Sequence, residues 1–410
     1  MKSNYKKIGE HIRLVDERNK GLQVKQLLGL SISKQFIPSV ANIIGTDMEN
    51  YKIIRKNQFA CSTMQVRRDK KMPVALLQDL DEAIISQAYP IFEVKDEKEL
   101  LPEYLMMWFE RAEFDREACF HAVGGVRGSL EWEDFENLQL PIPHPDKQKE
   151  IVKEYNVIQN RIALNQQLIQ KLEETAQAIY REWFVEFEFP DKIGKPYKSN
   201  GGEMVWNEEL QKEIPSGWEV SNLDNEFKIT IGRTPPRIEE EWFSNSDESI
   251  DWISIKDMAS CDSYIFDTNE KLTKEAVRKF SIPRIPKNTT ILSFKMSIGK
   301  LAITTKEMLS NEAIAHFIVK ADSRLTTEFI YSFLDYFKFN ALGTTSSIVD
   351  SINTKMIKEI NILVPLKTII ESYQKVISNI FTLKKTKEKE TQKLTELKDL
   401  LLSKLATIEN

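Results

Sequence analysis

Apolar residues recur at Ile151, Tyr155, Ile158, Ile162, Ile169, Leu172, Ala176, Ile179 and Trp183, with one polar residue, Asn165, in the series. The steps alternate four and three for more than four heptads, and this spacing predicts a coiled-coil seam on one long helix. Asn165 takes the polar seam position, where a buried amide fixes register at some cost in stability. From Pro145 to about Glu186 such a helix would reach roughly 60 Å at ~1.5 Å per residue. One apolar stripe of that length demands a partner.

The chain offers one. An alternating strand runs into prolines at "LQLPIPHPDKQKEIVKEY" (Leu138–Tyr155), and the same exit returns at "INILVPLKTIIESYQKVI" (Ile360–Ile377), 365 − 143 = 222 positions later. Carried forward by that shift, the seam falls on Tyr373, Ile377, Ile380, Lys384, Lys387, Thr391, Leu394, Lys398, Leu401 and Leu405. Its ends are apolar and its middle is not, so a seam drifting toward Leu383, Leu397 and Ile408 fits nearly as well. The expectation is an antiparallel pair of long helices; the alternative is two separate amphipathic helices, each capping its own domain. The preceding segments align too. "SQAYPIFEV" (Ser86–Val94) falls on "NEAIAHFIV" (Asn311–Val319), and "PEYLMMWF" (Pro102–Phe109) on "TEFIYSFL" (Thr327–Leu334), both at a shift of 225.

Residues 189–217, rich in Gly, Pro, Asn and Ser, read as a linker. The predicted order is a domain over 1–144, a spacer helix over 145–188, the linker, a second domain over 218–365 and a second spacer helix over 366–410. The fold class is α/β (α+β), a pseudo-twofold repeat. With 410 residues, 41% of them apolar, the chain is globular and holds more than one domain. Its N-terminus lacks the apolar core of a signal peptide, and no run approaches a membrane span. Three scattered cysteines, with no CxxC, argue against a disulfide frame or zinc site and for a reduced, cytoplasmic location.

Net charge is −5, but its distribution is uneven. Residues 1–75 hold 15 Lys/Arg against 6 Asp/Glu; residues 239–270 hold 10 acids and one lysine; residues 271–306 hold 9 bases and one acid. Each block alone reads as solvated surface. Two of them in corresponding halves point to a surface that faces a polyanion. The candidate DNA contacts are Arg13, Arg18, Lys34, Arg67, Arg68, Lys70, Lys71 and Arg127 in the first half. In the second they are Arg233, Arg237, Lys295, Lys300, Ser346 and Ser347. "QVRRDKK" (Gln65–Lys71) is the densest group, expected on an exposed connecting loop between two strands. Lysines there would hold phosphates while an arginine pairs with guanine.

Catalytic motifs are missing. "SIGKLA" (Ser297–Ala302) has no upstream glycine and no Ser/Thr after its lysine, so it is no phosphate loop. "TPPR" (Thr234–Arg237) lacks the residues of a methyltransferase tetrad. No catalytic or metal-ligating set stands out. Asp81, Glu93 and Lys95 have the spacing of a metal-dependent nuclease, and a stand-alone nuclease is the enzymatic alternative. An adaptor that joins proteins without touching DNA is the other.

The chain resembles the specificity subunits of type I restriction–modification systems over nearly its whole length. The likeness lies in "ISKQFIPSVANIIGTD" (Ile32–Asp47), "FACSTMQVRRD" (Phe59–Asp69), "AIISQAYPIFEV" (Ala83–Val94) and "GGVRGSLEWEDFENLQLPIP" (Gly124–Pro143). It continues in "GGEMVWNEELQKEIPSGWE" (Gly201–Glu219) and "ALGTTSSIVDSINTKMIKEINILVP" (Ala341–Pro365). The resemblance implies two target-recognition domains and two helical regions packed as an antiparallel coiled coil, with no catalysis in this chain. It implies double-stranded DNA as ligand, with two adenine methyltransferase subunits and two restriction subunits as partners. S-adenosylmethionine, ATP and Mg2+ would be bound by those partners.

Overall fold

The last strand of each half pairs with its first, which explains the repeated exit into a long helix. In a computed structural model of the chain, Tyr5–Lys7 runs antiparallel to Gln139–Pro141, and Glu219–Asn222 antiparallel to Asn361–Val364. Proline closes both exits, Pro141 as the last residue of one strand and Pro365 directly after the other, because proline interrupts a sheet's hydrogen-bond ladder. The helices that follow span Pro145–Phe184 and Lys367–Lys404. The structure describes residues 5–39, 46–124, 128–244, 246, 248–295, 298–337, 339 and 352–407.

The chain divides into two units, residues 1–162 with 393–410, and residues 163–392. In the first, a four-stranded antiparallel sheet runs in the order Ile12–Val15, Ile91–Val94, Phe59–Cys61, Val74–Leu76. In the second, the corresponding strands are Phe227–Ile231, Ile314–Val319, Thr290–Ser293 and Leu301–Thr304, with Tyr264–Ile265 added parallel at the edge. The order is the same and so is the register. Phe92 faces Phe59 and Phe317 faces Thr290 across the matching strand pair, and both Phe92 and Phe317 are fully buried. A helix follows the central strand in both, Pro102–Glu110 and Thr327–Tyr336. The duplication is one of topology, with different additions: two two-stranded ladders in the first unit, and in the second a three-stranded sheet and, within the expected linker, the hairpin Met204–Asn207 with Lys212–Pro215.

The long helices bury the stripe that the heptads mark. Ile151, Tyr155, Ile162, Asn165, Ile169, Ala176 and Trp183 are buried, with Ile158, Leu172 and Ile179 partly so. On the second helix Tyr373, Ile377, Lys384 and Leu405 are buried, and Ile380, Lys387, Thr391, Leu394, Lys398 and Leu401 are intermediate. The drifting alternative is corrected: Leu383 and Leu397 are exposed, at 41% and 48%, while Ile408 lies outside the described residues. The seam accepts a lysine instead. In the second unit Glu173 pairs with Lys384, and ten residues on, Trp183 packs against Tyr373, eleven residues back. The helices are therefore antiparallel there.

Each unit also seats the helix ends that it contains. Buried Gln148 accepts from the Leu101 amide (2.9 Å) and donates to the carbonyls of Glu99 (2.7 Å) and Pro143 (2.9 Å). At the end of the first helix Trp183, Phe184, Phe187 and Phe189 join a buried cluster with Trp218, Phe329 and Tyr373 in the second unit. In the first unit Leu402 and Leu405 pack with Ile151 and Tyr155, and the Tyr5 hydroxyl donates to the Ala406 carbonyl at 2.9 Å.

Candidate nucleic-acid interface

The segment Gln65–Lys71 connects the strands Phe59–Cys61 and Val74–Leu76 as expected, and within it Val66–Asp69 forms one helical turn. Val66 points into the core and anchors it, and left-handed Gln65 (φ 63°) and Lys70 (φ 51°) start and end it abruptly. Arg67, Arg68, Lys70 and Lys71 are all exposed. Arg68 is turned onto Asp69, with Nε 2.6 Å and Nη2 3.0 Å from the carboxylate. That hydrogen bond holds the Asp69 carboxyl below its usual range. Arg67 donates to the Gly124 carbonyl at 3.1 Å, and its amide to the Gly128 carbonyl. A Cβ on Gly128 would lie 2.8 Å from the Arg67 Cβ, so glycine there is what admits the arginine. The turn thus presents two lysines to solvent beside two positioned arginines.

Other candidates in this unit are placed differently. Arg13 is exposed on its strand and paired with Glu93 at 2.6 Å. Arg18 binds Asp16 (3.0 Å) and the Asn50 carbonyl (2.7 Å). Lys34, expected at the surface, is buried: it pairs with Asp115 at 2.8 Å and donates to the Phe109 carbonyl. Burial lowers its pKa while Asp115 opposes the shift. Its left-handed backbone (φ 62°) turns it inward, and nothing near it in the sequence reveals a partner 81 residues away. Arg127, Ser346 and Ser347 lie outside the described residues.

In the second unit aromatic rings hold Arg237. Arg237 lies 4.8 Å from the ring centres of both Phe243 and Trp252 and bonds Glu270 at 2.6 Å. Cation–π contact of this kind fixes a guanidinium without discharging it. Arg233 donates to the Phe280 carbonyl at 3.0 Å. Lys279, outside the predicted set, sits 4.2 Å over Trp242. Its i, i+1 neighbour Phe280 hinted at stacking, but the Trp242 contact crosses the fold. Lys295 is exposed beside Phe294, and Lys300 is half-buried.

The nuclease constellation does not assemble. Glu93 accepts from Arg13 and from Gln58 (2.8 Å), and Lys95 donates to the carbonyls of Gly9 and Glu10, both at 3.0 Å. Each is spent on a structural partner. Among the described residues no group of His, Cys, Asp and Glu could hold a metal, and no helix is long and apolar enough to cross a membrane.

A family model described as "Type I restriction modification DNA specificity domain" matches residues 41–174 and 215–399. The chain belongs to this family. It is a non-catalytic DNA-specificity subunit of the type I restriction–modification class. The HindI specificity subunit of Haemophilus influenzae is 24% identical, covering 89% of each chain. The MjaIX specificity subunit of Methanocaldococcus jannaschii is 23% identical over 75% of this chain and 68% of that one. The crystal structure of the type I S subunit from M. genitalium shares the fold, with a TM-score of 0.58 at 16% identity, covering 99% of this chain and 96% of that one. One matched segment falls in each half of the repeat.

Proposed function

We propose that this specificity subunit reads a bipartite, asymmetric DNA target, one half with each domain, and directs methylation and restriction by partner subunits. The observation that carries the reading is one sheet topology used twice under dissimilar surfaces: a cationic turn in the first unit and the ring-held cations Arg237 and Lys279 in the second. Similar frames suit similar approaches to a duplex, and different side chains suit different bases. The long helices are the ruler that sets the unread spacer.

A second, exposed apolar stripe on those helices suits partner subunits. Leu164, Leu168, Val376 and Leu383 are exposed in the second unit, and Val157, Leu397 and Leu400 in the first. The leucines that looked like a drifting seam belong to this outer face. Apolar residues at heptad spacing on a solvent face suit further amphipathic helices. We assign the face to two modification subunits, with two restriction subunits completing the enzyme in the cytoplasm. S-adenosylmethionine, ATP and Mg2+ are theirs to bind.

Mapping methylated adenines in a host expressing this chain with its modification subunit tests the reading. One split motif with unlike halves is expected; a continuous or palindromic motif overturns it. Inserting four residues near Asn165, about one helical turn, should lengthen the spacer and leave both halves unchanged.

A further inference from the structure

Phe120 lies near the end of the helix Ala112–His121, which packs against the cationic turn Val66–Asp69. Phe114 on the same helix is buried, as an aromatic residue is expected to be, but Phe120 is 81% exposed. Burying such a ring is favourable, so its exposure leaves a gain for a ligand to collect. Val123 and Met64 are exposed nearby in the chain, on either side of the backbone link between Leu130 and Thr63. Arg67 caps the Gly124 carbonyl four residues after Phe120. Exposed Phe120 thus stands on a helix packed against the turn that carries exposed Arg67, Arg68, Lys70 and Lys71, and Asp69, the acid within the turn, is committed to Arg68.

That combination matches one feature of a duplex. The major groove is walled by phosphates, and the apolar group it displays is the thymine C5-methyl, for which phenylalanine is a suitable contact. A protein partner would have to bring acids to meet the cations as well as an apolar pocket. The charge complement favours DNA. We infer that Phe120 is a specificity-determining residue that reads a thymine methyl in the half-site taken by the first domain. The inference rests on the DNA-reading function proposed above.

The test uses the complex of this chain with its modification subunits and the mapped target. Each thymine of the first half-site is replaced in turn by uracil, which removes only the methyl. At one position the wild-type complex should lose about fourfold in affinity, the worth of one buried methyl. Phe120→Ala should lose at least as much on normal DNA and nothing further on that uracil target. Phe120→Leu should restore part of the discrimination. Being exposed, the side chain can be shortened with the fold intact, and unchanged salt-dependent binding to unrelated DNA is the control. Insensitivity to uracil everywhere, or uracil and Phe120→Ala losses that simply add, overturns the inference. So does Phe120→Ala weakening assembly with the modification subunit while discrimination stays the same, since the face then takes protein. Failure of the underlying reading is separate: the wild-type complex would not prefer its target over unrelated DNA at all.

Discussion

Ile91 and His316 hold the same register position in the two domains, each paired with both neighbouring strands, 225 positions apart. Ile91 faces Val15 on one neighbouring strand and Ala60 on the other, an apolar trio. His316 faces Thr230 and Ile291, and its ring is satisfied on both sides, Nδ1 by the Thr230 hydroxyl (2.9 Å) and Nε2 by the Ser310 hydroxyl (2.7 Å). Both residues are fully buried. The frame therefore fixes where a side chain points and not what it is made of, provided every buried polar atom finds a partner. A frame with that tolerance can be duplicated and then diverge at its surface, as the cationic turn and the ring-clamped Arg237 have diverged.

The largest expected effects come where the two frames coincide. Phe92→Ala and Phe317→Ala should each cost about 3–5 kcal/mol, the usual price of emptying a buried phenylalanine site. Hydrogen-exchange protection measured separately in the two sheets checks this. Loss confined to one variant would show that one sheet carries the fold and the other is carried by it. A comparable loss is expected in the helix seam, where the units differ most. The seam near Ile151 and Leu402 is apolar, whereas in the second unit Lys384 is buried beside Glu173 and Glu388. Glu388 also accepts from the backbone amides of Ser263 and Tyr264, at 3.2 and 2.9 Å. Burial pulls Lys384 down and Glu388 up, each opposed by the other's charge. Lys384→Met alone strands two carboxylates and should cost about 3–5 kcal/mol in thermal or urea unfolding. Adding Glu388→Gln and Glu173→Gln should recover much of it. An unchanged midpoint for Lys384→Met would show the lysine to be incidental to the seam.

Much of this architecture was legible in the heptads, because steps of four and three over ten positions admit few other structures. The repeat of strand and helix at a constant shift was legible for a similar reason, since period-2 burial preserves register. The polar middle of the second helix was not. Lys384 and Glu388 look like surface residues until Glu173, Ser263 and Tyr264 are brought to them from two other segments. Lys34 was misplaced for the same reason, its partner Asp115 being distant in sequence. The cations of Gln65–Lys71 were found by charge density, whereas Lys279 on Trp242 and Arg237 between two rings depend on contacts across the fold. Phe120 offered no signal at all, because a phenylalanine in a helix is ordinarily core.

The smaller effect that sharpens the comparison is the pH response of His316. Burial pushes its pKa down to about 3 from an ordinary 6.5. The folded second domain thus keeps the ring neutral where the unfolded chain protonates it. The unfolded state binds the extra proton between those two values, so stability is whole above pH 6.5 and falls as the pH drops through the window. The loss should approach about 1.4 kcal/mol per pH unit once the pH is well below 6.5. Ile91 gives the first domain no such term. Acidification from pH 7 to 5 should therefore expose amides of the sheet around Ile314–Val319 before those around Ile91–Val94. His316→Gln, which keeps a donor and an acceptor near Thr230 and Ser310 without a titrating group, should remove the difference at a constant cost. If both sheets open together on acidification, or if the variant still opens first at pH 5 by the wild-type margin, then the histidine is not what separates the two domains.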